Sequence, residues 1–311
     1  MKDRRILITG AAGFIGSNII NKLVENNYII GLDNLSVGKL ENIKPFMDDK
    51  NFYFSQTNFT NYDSILPLMK DIDLIIHLGA NSNVQNGLTN NLIDFVDNTV
   101  GTHTVLRAMD KMGVSEMIFA SSSAIYGNAI KTPTAEDYGP LIPISNYGAS
   151  KLAAESFVLS YRTIYGMKTT VYRFANVIGR KRPHGVIYDL YNKIIKDRDT
   201  LEILGDGSQS KSYIYIDECI DGIIKLHGKG DGIFNLGTKE TTSVNKIVET
   251  FGSMMQISPR IVKKLEGPNG SGWLGDVKTI HLNIDKALSY GWSYKINSDK
   301  AVRMAIADMM N

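Results

Sequence analysis

The sequence predicts an α/β fold: a doubly wound parallel sheet with a smaller C-terminal lobe interleaved with its last strands. Short apolar runs of strand length alternate with helical patterns from Arg5 to Phe174, as in parallel sheets that helices cover on both faces. Beyond Phe174 the alternation loosens, yet no linker rich in proline, glycine or serine divides the chain. We therefore expect a large sheet domain and a lobe that shares its final strands.

The individual elements follow from hydrophobic periodicity. In the first part, strands are predicted at 5–9, 28–32, 52–54, 74–78, 117–121 and 169–174, and helices at 14–25, 96–112 and 146–165. In the second part, helices are predicted at 186–196, 244–254 and 301–310, with a strand at 213–216. Asp217 is expected to cap a helix that ends at His227. A strand at 233–236 is expected to return to the main sheet.

Composition narrows the functional class. The 311 residues are 43% hydrophobic and 21% charged, which describes an ordinary globular chain. A net charge of +2 argues against a general nucleic-acid binder, and no apolar run approaches the 18 residues of a membrane span. One cysteine, Cys219, allows no intramolecular disulfide, and no secretory signal pattern opens the chain. These features predict a cytoplasmic protein.

A glycine-rich turn joins the first strand to the first helix, in the run Gly10-Ala-Ala-Gly13-Phe-Ile-Gly16. Glycines there let the backbone turn sharply and approach a pyrophosphate, which the helix N-terminus then holds. A simple strand-to-helix turn is the alternative. The order strand, glycine turn, helix is the context that favours a dinucleotide-binding Rossmann fold.

The second strand ends at Asp33, about 20 residues beyond the glycines. A carboxylate at that position accepts hydrogen bonds from both hydroxyls of an adenosine ribose. A 2′-phosphate would be repelled by the same charge. The sequence therefore favours NAD over NADP.

Tyr147 and Lys151 are four residues apart and share one face of the helix at 146–165. A phenol titrates near pH ~10, and a nearby ammonium lowers that pKa. The pair therefore forms a candidate general base for an alcohol. Taken alone, such a pair is also common on a solvated helix face.

Several further motifs occur in a single order along the chain. They are Asp33-Asn34, Asn98-x-x-Gly101-Thr102, Ser122-x-x-x-Tyr126-Gly127, Tyr147-x-x-x-Lys151, Arg173-Phe-Ala-Asn176 and Gly205-Asp-Gly-Ser-Gln209. With the glycine turn, they resemble the extended short-chain dehydrogenase/reductase family, and within it the UDP-glucose 4-epimerases. The resemblance runs from about Ile6 to Trp292. It implies a domain at 1–175 that binds NAD, with a return of roughly 231–240, and a mainly substrate-binding lobe at 176–311.

The resemblance also implies roles for individual residues. Catalysis would rest on Ser122, Tyr147 and Lys151. NAD contacts would come from Gly10, Gly13, Phe14, Ile15, Gly16, Asp33, Asn34, Asn58, Phe59, Leu78, Gly79, Ala80, Asn98, Tyr147, Lys151 and Phe174. Contacts to a UDP-sugar would come from Ser122, Asn176, Gly185, Val186, Lys211, Trp273 and Asp276. A homodimer through the Val96 and Tyr147 helices is implied as well.

Some positions separate relatives or depart from the family pattern. Ser123 and Ala124 stand where the 4,6-dehydratases carry Asp-Glu, so dehydratase chemistry is disfavoured. Trp273 stands where many relatives have an arginine that binds the diphosphate, and Asn58 where an aspartate is usual. His77 and His184 lack partners at metal-ligand spacing, so no metal site is predicted. The expected activity is C4 epimerisation of UDP-glucose and UDP-galactose.

Three alternatives to that activity remain open. The first is a 4-epimerase of another UDP-sugar, an N-acetylhexosamine or a hexuronate. The second is an NAD-dependent sugar-nucleotide dehydrogenase. The third is an NAD-sensing regulator, which Ser122, Tyr147 and Lys151 disfavour because a sensor has no use for a general base.

Overall fold

The structure is a computed structural model that describes residues 1–180, 182 and 184–310. Its main feature is a parallel seven-stranded sheet with the order β11-β6-β5-β4-β1-β2-β3 and flanking helices. These strands are β1 Arg5–Thr9, β2 Tyr28–Asp33, β3 Phe52–Gln56, β4 Leu74–His77, β5 Glu116–Ser122, β6 Lys168–Phe174 and β11 Ile233–Leu236. The predicted doubly wound parallel sheet is confirmed. Its order reverses at β1, next to β4, which is where such sheets bind ligands.

Shorter strands accompany the second half of the chain. They are β7 Asn176–Ile178, β8 Thr200–Leu204, β9 Ser210–Lys211, β10 Tyr213–Tyr215, β12 Thr242–Ser243, β13 Arg260–Lys264 and β14 Thr279–Ile280. They form the pairs β10-β7 and β13-β8 and the three-stranded sheet β12-β9-β14. The predicted strand at 213–216 is thus β10, one residue shorter.

The structure contains the predicted helices and several short ones that the periodicity did not predict. They are α1 Phe14–Leu23, α2 Leu40–Ile43, α3 Tyr62–Ile65, α4 Asn86–Thr89, α5 Asn91–Ile93, α6 Gly101–Met112, α7 Asn146–Tyr165, α8 Val186–Lys196, α9 Ile216–Leu226, α10 Val244–Met255, α11 Asp285–Ser289 and α12 Ser298–Met310. Among the residues described, no helix has both the length and the hydropathy needed to cross a bilayer.

Three predicted helix starts are wrong, and the simplest case is the helix expected over 301–310, which begins at Ser298. The helix expected over 96–112 begins as a π-helix, Asp94–Val100, and becomes α-helical only at Gly101. Asp217 does not cap α9, because β10 ends at Tyr215 and the helix begins at Ile216 without an intervening residue. Asp217 therefore lies in the first turn of α9, where its carboxylate pairs with Arg180 at 2.7 Å.

The central strands are apolar because both faces of the sheet are covered. Ile6, Leu7 and Ile8 of β1 have no solvent exposure, and neither do Ile75 and Ile76 of β4. Buried apolar surface contributes about 25 cal/mol per Å², so these runs are the main source of stability in the sheet. A rigid sheet of this kind fixes the residues that follow each strand.

The chain divides into two compact units. The first unit is Met1–Ile125, Asn146–Arg173 and Ile223–Phe234, and the second unit is Tyr126–Ser145, Phe174–Gly222 and Asn235–Asn311. The first unit holds the glycine turn, the serine that ends β5, and α7. The second unit holds the short strands and, apart from Ser122, the residues expected to contact a UDP-sugar.

Candidate active site

The turn after β1 accepts only glycine at two positions. Gly10 has a φ of +70°, and a Cβ there would lie 2.9 Å from the amide nitrogen of Gly79. A Cβ on Gly16 would collide with the carbonyl oxygen of Gly10. The backbone of β1, the turn and the segment after β4 are therefore packed as closely as peptide groups allow. At the carboxyl end of the sheet, these glycines therefore present main-chain atoms without covering side chains.

The first turn of α1 is not capped by a side chain. Gly13 precedes the helix with extended backbone (φ −76°, ψ 179°) and provides no side-chain acceptor for the N–H groups that follow. Phe14 and Ile15 begin the helix, and the N–H of Ser17 donates to the carbonyl of Gly13 at 3.1 Å. Uncapped N–H groups and the positive end of the helix dipole suit a phosphate. The turn and the helix therefore fit the pyrophosphate of a dinucleotide.

Asp33 holds the glycine turn against the end of β2. Its carboxylate accepts the N–H of Ala12 at 3.0 Å and that of Leu35 at 2.8 Å. A Cβ on Gly38 would lie 2.8 Å from both carboxylate oxygens, so the backbone closes over the group. Burial raises the pKa of Asp33, and the two N–H donors oppose that rise. Asp33 is thus positioned by the same turn that suits the pyrophosphate.

Two predicted asparagines close local turns. The side-chain oxygen of Asn34 accepts the N–H of Ser36 at 3.0 Å, and that of Asn58 accepts the N–H of Thr60 at 3.0 Å. An amide oxygen has a second lone pair and its nitrogen has two donors. Both side chains therefore keep hydrogen-bonding capacity for an adenosine.

Phe59 supports the segment that follows β4. Its ring is buried, and a Cβ on either Gly79 or Gly101 would collide with it or press against it. Leu78 and Ala80, on either side of Gly79, are half-buried. The predicted cofactor residues of this segment thus lie directly over an aromatic core side chain.

A buried chain of hydrogen bonds runs under the same segment. The N–H of Gly79 donates to Thr9 Oγ1 at 3.0 Å, which lies 2.7 Å from His77 Nδ1. His77 Nε2 lies 3.0 Å from Thr102 Oγ1, whose hydroxyl donates to the carbonyl of Asn98 at 2.6 Å. Burial, assisted by the charge of Lys151, lowers the pKa of His77 to about 3. His77 is therefore neutral, with the proton on Nε2.

Sequence reasoning missed this chain of hydrogen bonds. Thr9 and His77 end neighbouring strands and Thr102 lies on a helix, so only the folded sheet brings them together. One sequence feature could have revealed it: each of these apolar strands ends in a polar residue. In a parallel sheet, the residues that end neighbouring strands lie at the same edge. These hydrogen bonds connect Thr9, which precedes the glycine turn, with Asn98 on the π-helix.

Asn98 lies on the π-helix and has no solvent exposure. Its side-chain oxygen accepts the N–H of Asn81 at 2.8 Å, and its nitrogen donates to Ser150 Oγ at 2.9 Å. Ser150 in turn donates to the carbonyl of Tyr147 at 2.8 Å. The π-helix therefore orients the first turn of α7 through side-chain hydrogen bonds, in agreement with the frequent use of π-helical turns at functional sites.

Lys151 is buried one helical turn after the half-buried Tyr147. Its Nζ donates to the carbonyl of Ala120 on β5 at 2.8 Å and lies 5.1 Å from the centre of the Phe119 ring. Burial lowers the pKa of Lys151 to about 8, and the charge of Asp94 opposes that decrease. The ammonium is thus fixed at the end of β5, close to the turn of helix that carries the phenol.

A buried ion pair fixes α7 to the sheet. Glu155 accepts from Ser121 Oγ at 2.5 Å and from Arg173 Nη2 at 2.6 Å. Ser121 lies on β5 and Arg173 lies on β6, so one carboxylate joins both strands to the helix. If either charge of the pair were removed, the other would stay buried without a counter-charge, which is strongly destabilising. Sequence reasoning placed Arg173 in a motif but missed Glu155, whose signal is a charge within the apolar face of the helix.

Ser122 is the last residue of β5. Its hydroxyl oxygen accepts the N–H of Ala124 at 3.2 Å, and the side chain is half-buried. The next residue, Ser123, is almost completely buried. Ser122 therefore ends its strand at the same edge of the sheet as Lys151, with one hydroxyl proton to donate.

In the second unit, three predicted substrate residues lie together. Lys211 Nζ forms an ion pair with Asp276 Oδ1 at 2.5 Å and lies 5.6 Å from the centre of the Trp273 ring. The other oxygen of Asp276 accepts the N–H of Gly272 at 3.0 Å. The indole Nε1 of Trp273 is buried and has no hydrogen-bond partner within the described part of the chain. The cluster thus combines a cation with an unsatisfied donor.

The remaining predicted residues belong to separate elements of the second unit. Phe174 is buried, and the N–H of Asn176 donates to the carbonyl of Ser212 at 3.1 Å. Gly185 precedes α8 with a φ of +103°, and Val186 begins that helix. In the part of the chain that the structure describes, no group of three or more His, Cys, Asp or Glu side chains is arranged to hold a metal ion.

Comparisons with known proteins agree with this geometry. Residues 6–237 match the sequence model of the NAD dependent epimerase/dehydratase family. A UDP-glucose 4-epimerase of Mycolicibacterium smegmatis is 32% identical over 252 residues, covering 78% of this chain and 80% of the relative. A UDP-glucuronate 4-epimerase of Thermodesulfobacterium geofontis is 30% identical over 312 residues, covering 96% and 94%. The crystal structure of a Thermotoga maritima UDP-glucose 4-epimerase with UDP-glucose superposes with a TM-score of 0.88 at 30% identity, covering 98% of each chain.

Proposed function

The chain belongs to the NAD-dependent epimerase/dehydratase family, and from that premise we propose that it interconverts UDP-glucose and UDP-galactose through a 4-keto intermediate. It is an enzyme of the UDP-sugar epimerase/dehydratase type, and its cofactor is NAD. The observation that carries the proposal is the buried Lys151 ammonium, fixed by the carbonyl of Ala120 one turn beyond Tyr147. Such a cation stabilises a phenolate, which a base acting on a sugar hydroxyl requires.

In the proposed reaction, Tyr147 takes the proton of the C4 hydroxyl while Ser122 holds that hydroxyl by a hydrogen bond. The C4–H bond breaks with its electron pair, which leaves a ketone at C4. NAD, when bound, supplies the acceptor for this hydride and returns it. The keto sugar turns over, and Tyr147 gives the proton back to the C4 oxygen. Lys151 holds its charge near the phenolate throughout.

We assign the NAD contacts to residues of the turn, the strand ends and the buried amide. Gly10, Gly13, Phe14, Ile15 and Gly16 would surround the pyrophosphate. The other proposed contacts are Asp33, Asn34, Asn58, Phe59, Leu78, Gly79, Ala80, Asn98, Tyr147, Lys151 and Phe174. The proposed NAD-binding domain consists of residues 1–175 together with the segment of roughly 231–240 that returns to the main sheet.

The lobe at 176–311 would bind the UDP part of the substrate. Lys211 is the proposed partner of the diphosphate, because the tryptophan at position 273 leaves this cluster without the usual arginine. A lysine is a point charge without the bidentate fork of arginine. The unsatisfied Nε1 of Trp273 supplies an additional donor. Asn176, Gly185, Val186 and Asp276 are the further proposed contacts.

The runner-up functions share this machinery. A relative that acts on UDP-glucuronate is nearly as similar to the chain as one that acts on UDP-glucose, so a hexuronate or an N-acetylhexosamine is the first alternative. Dehydratase chemistry is disfavoured because Ser123 and Ala124 provide neither an acid nor a base of suitable strength. A dehydrogenase would release reduced cofactor, and an NAD sensor would turn over no sugar.

One assay separates these functions. The purified protein is incubated with UDP-glucose, UDP-galactose, UDP-N-acetylglucosamine and UDP-glucuronate in turn, and the products are resolved by NMR. Tyr147→Phe serves as the control for contaminating activity. We expect the highest rate with the UDP-glucose/UDP-galactose pair and no 6-deoxy-4-keto product. A higher rate with another sugar would show that UDP-glucose is not the preferred substrate. Net formation of NADH would show that the enzyme is a dehydrogenase and not an epimerase.

We also propose a homodimer through the Val96 and Tyr147 helices. Apolar side chains stay exposed along both helical segments of the first unit: Phe95, Val96, Val100, Phe157 and Ile164. Exposed apolar side chains on two neighbouring helices favour association. Light scattering should give the mass of two chains, and Val100→Glu with Phe157→Glu should give the mass of one. A wild-type protein that elutes as a monomer at micromolar concentration contradicts this proposal.

A further inference from the structure

Asp94 is an almost completely buried carboxylate that the proposed reaction does not use. It lies on the π-helix and is 1% exposed. Its Oδ1 accepts from Asn81 Nδ2 at 2.8 Å and lies 3.5 Å from Asn98 Nδ2. Its Oδ2 has no hydrogen-bond partner among the residues described. A buried carboxylate with one unsatisfied oxygen is costly, so a role beyond packing is expected.

The surroundings of Asp94 keep its position fixed. A Cβ on Gly87 would collide with Oδ2, and Asn146 at the start of α7 donates to the carbonyl of Gly87 at 3.0 Å. On the other side, Asn98 connects to Ser150 and so to the first turn of α7. The carboxylate is therefore enclosed between the Gly87 segment and the helix that carries Tyr147 and Lys151.

Four titratable groups determine the electrostatics here. Burial raises the pKa of Asp94, and the hydrogen bond from Asn81 and then the charge of Lys151 oppose that rise. Asp97, one turn further along the π-helix, has its own pKa raised by burial and by Asp94. His77 at the end of β4 is neutral and adds no charge. In the opposite direction, Asp94 opposes the loss of the Lys151 proton that burial promotes.

We propose that Asp94 is a positioning residue that keeps Lys151 protonated, so that the general base next to Lys151 functions at neutral pH. The inference rests on the proposed function for its link to turnover. The coupling between Asp94 and Lys151 is measured without any sugar, so its failure is distinguishable from failure of the proposed function. An ammonium in a buried site loses its proton unless a nearby anion compensates for the lost hydration. Asp94 is that anion.

The test measures Lys151 directly. The NAD-loaded protein is labelled with [ε-¹³C]lysine, and the Lys151 resonance is assigned by its absence in Lys151→Met. We expect Asp94→Asn, which keeps the shape and the oxygen that Asn81 contacts, to lower the Lys151 pKa by roughly one unit or more. The alkaline limb of the kcat profile should move to lower pH by the same amount, with KM little changed at neutral pH. An unchanged Lys151 pKa in Asp94→Asn overturns the proposal.

A matched control removes the neighbouring charge on the same helix. Asp97→Asn should leave the Lys151 pKa and the alkaline limb of the kcat profile the same as in the wild type, within experimental error. An equal shift in both variants would mean that a general change in helix charge is responsible. That result also overturns the proposal. If Asp94→Asn does not fold, the reciprocal measurement applies, because coupling acts equally in both directions. With aspartate labelled at ¹³Cγ, Lys151→Met should then raise the Asp94 pKa. An Asp94 pKa that does not rise contradicts the proposal, whichever sugar the enzyme uses.

Discussion

Lys211 and Asp276 form an ion pair of 2.5 Å in the second unit, and the carboxylate of that pair is almost completely buried. A cation proposed to bind a diphosphate is therefore already neutralised by a protein carboxylate. Substrate binding then becomes a competition for one ammonium, and the strength of binding depends on both partners. Four predictions follow from this relationship and from the geometry of the first unit.

Lys211→Ala should raise KM for the UDP-sugar tenfold or more, about 1.4 kcal/mol, without weakening NAD binding. The loss includes repulsion, because the variant leaves the Asp276 carboxylate buried, unpaired and facing the phosphates. The double variant Lys211→Ala with Asp276→Asn should therefore recover part of the loss. Initial rates over a range of substrate concentrations measure both. A double variant no better than Lys211→Ala would mean that Asp276 has no effect on the diphosphate.

Tyr147→Phe should lower kcat by about 10² to 10⁴, the usual contribution of a general base. NAD content should stay unchanged, because the ring remains and only the hydroxyl is lost. Cofactor content is measured by absorbance after denaturation, and turnover by NMR. Turnover close to that of the wild type would exclude Tyr147 as the base.

The wild-type protein should bind NAD at least tenfold more tightly than NADP, since Asp33 repels a 2′-phosphate. Asp33→Asn should reduce this preference. It should also lower the free energy of unfolding by about 1–3 kcal/mol, because the charged acceptor of the Ala12 and Leu35 N–H groups is weakened. Calorimetric titration of both cofactors and urea denaturation provide the measurements. Equal affinities in the wild type would contradict the placement of Asp33.

His77 should make the fold sensitive to mild acid. Its pKa is about 3 in the folded protein, against an ordinary value of 6.5. Between these two values the unfolded chain binds a proton that the folded chain does not, so stability is lost as the pH falls below 6.5. The contribution of this one residue is about 1.4 kcal/mol per pH unit. Urea denaturation at pH 6.5 and pH 5 measures how much the free energy of unfolding falls with pH. This fall should be smaller in His77→Gln than in the wild type, and an equal fall in both proteins would contradict the prediction.

The sequence was most informative where a pattern is local. The strand Arg5–Thr9, the helices Asn146–Tyr165 and Val186–Lys196, and the return strand Ile233–Leu236 have the predicted bounds. The resemblance to the extended short-chain dehydrogenase/reductase family is also confirmed. Each of these features rests on periodicity, glycine placement or motif order, all of which can be read within one stretch of chain.

Features that depend on distant partners were not predicted. The strand Arg260–Lys264 is exposed along its whole length, so it lacks the alternation that marks a strand, and it forms only because Thr200–Leu204 offers a parallel edge. The hydrogen bonds of His77 and the unsatisfied oxygen of Asp94 likewise require three elements to meet. Periodicity describes which face of an element is buried, but it carries no information about which polar groups meet inside.

The ion pair between Glu155 and Arg173 constrains how this enzyme can be recombined with its relatives. A chimera that takes α7 from another member of the family but keeps the native β5 and β6 places a foreign side chain opposite Arg173 and Ser121. An exchange that omits Glu155 or Arg173 isolates a charge inside the protein, and one that omits Ser121 removes a hydrogen bond from that charge. The helix with the proposed general base and the two strands joined to it are therefore one transferable module, and crossover points for family shuffling belong outside it.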